Sequence, residues 1–238
     1  MGLCFVAKAT ALGVRFRAVL FDLGGTVIRS EEPPRVFMKI FEANGVQVRF
    51  EDVARAHAAC QRELDAVEMA RMGHDYWVQW NLKLLERLGL GGDLEPLAKK
   101  IDKEWFDYAR IEPYPDAIET LHGLKALGVK TGIVTNGLRR DYQTILAKTG
   151  LTDKFDIAVG VDDCHAAKPD RRIFAYALEK LNVRPEETIF VGDSREYDYE
   201  GARQAGLKPL LINRNGNSYP EADAIVRLTQ VLHYVELT

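Results

Sequence analysis

The chain has 238 residues, 47% of them hydrophobic and 28% charged, which suits a buried core and gives no support to disordered, collagen-like or membrane-spanning classes. Its 32 lysines and arginines against 35 aspartates and glutamates leave a net charge of −3, so no general basic surface is offered to nucleic acid. Three cysteines, Cys4, Cys60 and Cys164, are odd in number and far apart, which argues against a disulfide framework and for a reducing, cytoplasmic setting.

In chain order, residues 1–14 read as a flexible extension. Their apolar run is interrupted by Lys8 and is too short for a secretory signal, and Val6 spoils a myristoylation pattern after Gly2. The run AVLF, 18–21, predicts a buried strand that ends on a single acid, Asp22, followed by Leu23, Gly24, Gly25 and Thr26. Residues 30–111 contain no strand pattern and predict four helices: one ending at Gly45, a long one over 51–72 ending at Gly73, one over 74–88 ending at Gly89, and one over 94–109.

From residue 112 onward, short apolar runs alternate with helix-period segments, the mark of a parallel sheet wrapped by crossover helices. The predicted strands are 130–135, 155–161, 187–192, 208–213 and 223–228, with helices between them that open at Pro115 and near Arg171. The expected fold is therefore α/β: a Rossmann-like parallel sheet core with helices on both faces, plus a smaller all-helical domain. The boundaries are 15–29 and 112–238 for the core and 30–111 for the insertion, joined by short proline-stiffened crossings.

Open parallel sheets bind ligands beyond the carboxyl ends of their strands. The polar residues here gather at those ends: Asp22, then Thr135 and Asn136, then Asp193 and Ser194, with Lys168 a few residues past 155–161. Taken singly, each has an ordinary explanation as a cap, a turn former or a solvated charge. Their recurrence at successive strand ends points instead to a phosphate site with an acidic nucleophile, hydroxyl and amide donors, a lysine countercharge and acids able to hold Mg²⁺. Gly24 and Gly25 would let main-chain groups approach an anion closely.

The segments FDLGGT, VTN (134–136), KPD (168–170) and VGDSREYDYEGARQAG (191–206) stand in the order and spacing of the four motifs of the haloacid dehalogenase-like (HAD) hydrolases, and the chain after residue 14 resembles that superfamily. The resemblance implies an aspartyl-phosphate on Asp22, with Thr135 and Lys168 holding the transferring oxygens. It implies Mg²⁺ held by Asp22, the Gly24 carbonyl and Asp193, with Asp198 as a ligand or an orienting acid. It also makes 30–111 a cap domain that closes over a small phosphorylated substrate. Gly25, Thr26 and Asn136 are expected to contact that substrate, joined from the cap by Arg71 and His74. No nucleic acid and no membrane partner is expected, and the chain should be a monomer or homodimer.

One position departs from the family pattern. Phosphatases of the family carry an acid/base aspartate two residues after the nucleophile, where this chain has Gly24. Its carbonyl can still serve a metal, so the predicted outcome is a Mg²⁺-dependent phosphatase that is slow on, or selective against, poor leaving groups. A 2-haloacid dehalogenase needs no metal and lacks the acids at 193 and 198. A phosphonatase adds a Schiff-base lysine from the cap, where this chain has Glu63. A phosphate-binding protein without turnover is the remaining alternative. His57 and His74 are nominal replacement acids, and Trp77, Trp80 and Trp105 are expected in the cap core.

Overall fold

The computed structural model describes residues 16–214 and 222–236, so the extension expected at 1–14 lies outside the described residues. Strand β1 (Ala18–Phe21) is buried on both sides. Val19 and Phe21 pack into one layer, Ala18 and Leu20 into the other. A strand covered on both faces has no polar side, which is why this one reads as an unbroken apolar run.

A two-residue strand β2 (Ile28–Arg29) leads into five helices: α1 (Pro33–Ala43), α2 (Phe50–Arg62), α3 (Ala66–Met72), α4 (Tyr76–Arg87) and α5 (Glu95–Tyr108). They bury a cluster that includes Phe37, Phe41, Trp80, Leu84 and Ile101, joined from the later part of the chain by Leu138 and Val161. The single long helix expected over 51–72 is instead α2 and α3. The Asp65 side chain accepts the N–H groups of Val67 at 2.8 Å and Glu68 at 3.1 Å, and so caps a fresh helix start. The chain returns through β3 (Glu112–Pro113), which pairs antiparallel with β2, Ile28 opposite Pro113 and Arg29 opposite Glu112. Both crossings therefore run side by side.

The rest completes the sheet and its covering helices: α6 (Pro115–Ala126), β4 (Lys130–Val134), α7 (Arg139–Thr149), β5 (Ile157–Val159), α8 (Val161–Cys164), α9 (Arg171–Leu181), β6 (Thr188–Gly192), α10 (Gly201–Gln204), β7 (Lys208–Ile212), β8 (Ala224–Ile225) and α11 (Val231–Glu236). All five predicted strands form, each shorter than its apolar run. The strand order is β5–β4–β1–β6–β7–β8, with every neighbouring pair parallel. The chain moves from β1 to β4 on one side and later to β6 on the other, which puts a topological switch point at the end of β1. Phe21 lies opposite Ile133 of β4 and Val191 of β6, so three strands finish together beneath Asp22.

Among the described residues no helix is long and apolar enough to cross a membrane, and Cys60 and Cys164 are free. The two acids of α8 hold neighbouring backbone in place: Asp162 accepts the Arg139 N–H at 2.7 Å, and the buried Asp163 carboxylate accepts from the Gly160 N–H and the Tyr142 hydroxyl.

Candidate active site

The site is built from the strand ends upward. The Asp22 N–H donates to the Val191 carbonyl at 2.9 Å, which fixes the acid against β6. The chain then folds back tightly: the N–H groups of Val27 and Ile28 both donate to the Leu23 carbonyl, and the Gly25 N–H donates to the Ile28 carbonyl. At the end of β4, the Thr135 N–H donates to Val159 and its hydroxyl accepts the Gly137 N–H at 3.2 Å.

Lys168 is the hub. It is 4% exposed, and its Nζ donates to Asp22 Oδ1 and to Asp198 Oδ1, each at 2.6 Å. Burial opposes the charge on this ammonium, but the two carboxylates outweigh it and hold its pKa above the ordinary lysine value. Its main chain is clamped by Asn136, whose Oδ1 accepts the Lys168 N–H at 2.7 Å and whose Nδ2 donates to the Lys168 carbonyl at 3.0 Å. Asp198 reaches Lys168 because residues Arg195–Glu200 form one wide π turn, a rare device that redirects a side chain at functional positions. The Ser194 hydroxyl caps that turn by accepting the Tyr197 N–H, and the Ser194 N–H donates to Asp198 Oδ2 at 2.9 Å.

Carboxylate oxygens of Asp22, Asp193 and Asp198 lie within 4.8 Å of one another, Asp193 on the solvent side. Burial pushes the Asp22 carboxyl up to about 7; Lys168 pulls it down only in part, and the charges of Asp198 and Asp193 raise it further. Asp193 is also raised, first by burial and then by Asp198. Lys168 pairs with Asp22 and Asp198, while Asp193 stands beside them without a direct ion pair to it, so carboxylates outnumber the one ammonium in the cluster. Hard oxygen donors with excess negative charge are the donor set a divalent cation such as Mg²⁺ fits.

The structure does not bring every predicted residue to this cluster. Thr26 is completely buried, and its carbonyl accepts from Arg214 at 2.8 Å. The Gly25 N–H is engaged by Ile28, so it is not a free anion donor. Asn136 turns both ends of its amide to the Lys168 main chain rather than to a substrate. Arg71 pairs with Glu68 on its own helix and lines a separate surface depression with Tyr76 and Lys83. His74 falls in the turn Gly73–Asp75, and its side chain lies outside the described residues.

Two glycines carry the geometry. Gly25 has φ +78°, and a methyl built on it would lie 2.8 Å from Asp193 Cγ and closer still to the carboxylate. Gly25→Ala is therefore expected to displace Asp193 and weaken Mg²⁺ binding by at least about tenfold, read by isothermal titration against the wild type. Gly24 is exposed and differs: a Cβ there would meet nothing within 4 Å, and its φ is outside the left-handed region.

A cavity of about 270 Å³ lies between the inserted helices and α7, bounded by Phe37, His57, Trp77, Trp80, Trp105 and, from the sheet side, Gly137. Trp80 is buried in the helical core as expected, yet all three tryptophans also face this space. The Trp77 indole N–H donates to Asp141 Oδ2 at 2.7 Å across the two parts of the chain. Burial raises the Asp141 carboxyl, an effect that Trp77 and Arg140 partly oppose. No spacing rule marked Asp141, because it sits on α7, where the sequence shows no clean helical period.

The model of the haloacid dehalogenase-like hydrolases matches residues 16–206. A glyceraldehyde 3-phosphate phosphatase from Methanopyrus kandleri is 32% identical over 205 residues, covering 83% of this chain and 84% of that protein. (S)-2-haloacid dehalogenase 1 from Pseudomonas sp. strain CBS-3 is 30% identical over 194 residues, covering 74% and 83%. Among solved structures, a HAD phosphatase from Thermococcus onnurineus aligns over 92% of this chain and 98% of its own, with a TM-score of 0.63 and 32% identity. With a parallel sheet that gathers Asp22, Thr135, Lys168, Asp193 and Asp198 at one edge, and with this match over most of its length, the chain belongs to the haloacid dehalogenase-like hydrolases.

Proposed function

We propose that the chain is a Mg²⁺-dependent phosphohydrolase that moves the phosphoryl group of a small phosphorylated metabolite onto Asp22 and then to water. The observation that carries this reading is the clustering of Asp22, Asp193 and Asp198 within 4.8 Å of one another, with Lys168 paired to Asp22 and Asp198 only. A haloacid loses its halogen as halide when its carbon is attacked and keeps its own carboxylate, so it gains nothing from a site this acidic. A phosphate dianion needs a cation to enter it.

Asp22, Asp193 and the Gly24 carbonyl would hold the metal, with Asp198 as a further ligand or as the acid that orients Lys168. Bound Mg²⁺ supplies charge neutralisation for the phosphoryl oxygens. Asp22 supplies the attacking carboxylate oxygen, and Lys168 fixes that carboxylate in place and faces the developing charge. The Thr135 hydroxyl and the main chain around it donate to the transferring oxygens. Asn136 acts at one remove, by holding the Lys168 backbone. Residues 30–111 serve as a cap domain over a core of 15–29 and 112–238, a division supported by the paired crossings and by a helical cluster that, among the described residues, only Leu138 and Val161 join as buried members from the sheet side.

The phosphonatase alternative loses support, because among the described residues no lysine of 30–111 lines the cavity, and Lys39, Lys99 and Lys100 are paired with Glu31, Glu95 and Glu104. The dehalogenase reading keeps one favourable observation, the apolar walls of that cavity. Phosphate release from p-nitrophenyl phosphate, measured with Mg²⁺ and again after EDTA, separates the two. Release that collapses on chelation is expected; metal-independent halide release from (S)-2-chloropropionate, without phosphate release, would overturn the proposal.

A further inference from the structure

We infer that the cavity between the inserted helices and α7 seats the leaving group of the substrate, and that this group is an aromatic ring, so the substrate class is an aryl phosphate. The inference rests on the phosphohydrolase reading above and narrows it.

The walls argue for a ring. The chain has three tryptophans, Trp77, Trp80 and Trp105, and all three line the cavity. Phe37 and Trp105 meet edge to face at 4.9 Å, and Trp77 and Trp80 at 6.0 Å; aromatic surfaces so arranged favour a further ring in offset or edge contact. Size agrees: an apolar cavity of about 150 Å³ holds benzene, and about 270 Å³ admits a substituted ring or two fused rings.

Charge excludes the alternatives. Among the described residues no lysine or arginine lines the cavity, and its acidic members are Asp102 and Asp141, which face Arg140 and Trp77. A leaving group bearing a carboxylate or a second phosphate would therefore meet two carboxylates whose cation, Arg140, is already engaged by both. Position agrees as well: Gly137 forms part of the wall, and a Cβ on it would be 3.7 Å from the Thr135 hydroxyl. The cavity and the phosphate site thus share the Thr135–Gly137 turn.

The empty side chain at position 24 supplies an independent reason. An Asp22 oxygen forms its bond to phosphorus as the P–O(aryl) bond breaks. The bonding electron pair leaves with the aryl oxygen, and the phenolate takes its proton from water. A phenol has a pKa of about 10, several units below the alcohol range near that of water, about 15.7. An aryl oxygen can leave without the general acid that Gly24 cannot provide. Water then cleaves the aspartyl-phosphate, releasing phosphate and restoring the Asp22 carboxylate.

The test compares phenylphosphonate with methylphosphonate, two non-hydrolysable probes that differ in the ring, by titrating intrinsic tryptophan fluorescence of the Mg²⁺-loaded protein. Phenylphosphonate is expected to bind about 10–100-fold more tightly and to change the emission of the cavity tryptophans. Trp105→Ala should reduce that preference to below about threefold, and Trp80→Phe, which keeps a ring and removes the N–H, should preserve it for the unsubstituted probe. Equal binding of the two probes overturns the inference, as does faster hydrolysis of nucleoside 5′-monophosphates than of phenyl phosphate, which would mean that the ring seated there belongs to an alkyl ester. Acetyl phosphate, which has no ring and a good leaving group, is assayed alongside. Its failure to turn over would sink the hydrolytic reading alone, while the fluorescence comparison would still decide what the cavity binds.

Discussion

Gly24→Asp is expected to raise the turnover of alkyl phosphates by about 10²–10⁴-fold, the usual range for general acid/base catalysis, while changing that of aryl phosphates by less than about tenfold. The structure makes the substitution admissible, since position 24 is exposed, has no neighbour within 4 Å of a new Cβ and does not use a left-handed conformation. The added carboxyl would stand two residues from Asp22, at the mouth of the site, where it could protonate a departing alkoxide and later activate water. Steady-state rates on glycerol phosphate and phenyl phosphate check the prediction. Equal gains on both would show that the wild type is not limited by leaving-group protonation. Rapid-quench experiments on the wild type identify the slow step: a first step limited by leaving-group protonation gives no burst of product with glycerol phosphate.

Asp22→Asn should lower phosphate release by at least about 10⁴-fold, because the amide cannot form the covalent intermediate and no neighbouring group can take its place. Lys168 would keep Asp198 as a partner, and a neutral side chain would replace a carboxyl whose ionised form is disfavoured by burial, so the fold should survive. Thermal denaturation with and without Mg²⁺ separates lost chemistry from lost structure. The wild type should gain stability with the cation, since a ligand that binds only the native state stabilises it. The variant should remain folded and gain less, having one carboxylate fewer to offer. A variant that still released phosphate within about tenfold of the wild type would remove Asp22 from the mechanism.

Much of this molecule was legible in its residues, for identifiable reasons. β1 could be read from AVLF because a central parallel strand buries both faces and leaves no polar position. The order Asp22, Thr135, Lys168, Asp193 was readable because each polar residue follows an apolar run directly or within a few residues, and parallel strands deliver such residues to the same sheet edge. The break between α2 and α3 was not, because Asp65 continues the helical period of its neighbours and only its side-chain bonds to Val67 and Glu68 reveal a cap. Asn136 looked like a substrate donor, and its engagement with the Lys168 main chain depends on a loop more than thirty residues away.

The sequence alone determined the class of the fold, the inserted helical segment and the placing of candidate acids and a lysine near strand ends, since all of these follow from local periodicity and from motif spacing along one chain. It also determined that position 24 carries no side chain. Only the tertiary structure decided that Lys168 bridges Asp22 and Asp198, that Thr26 is buried away from the site, and that three tryptophans from two helices face a cavity closed by Asp141 and Gly137. Those outcomes depend on how the helices seat against the strand ends, and that is set by packing between residues far apart in the chain, which no local pattern encodes.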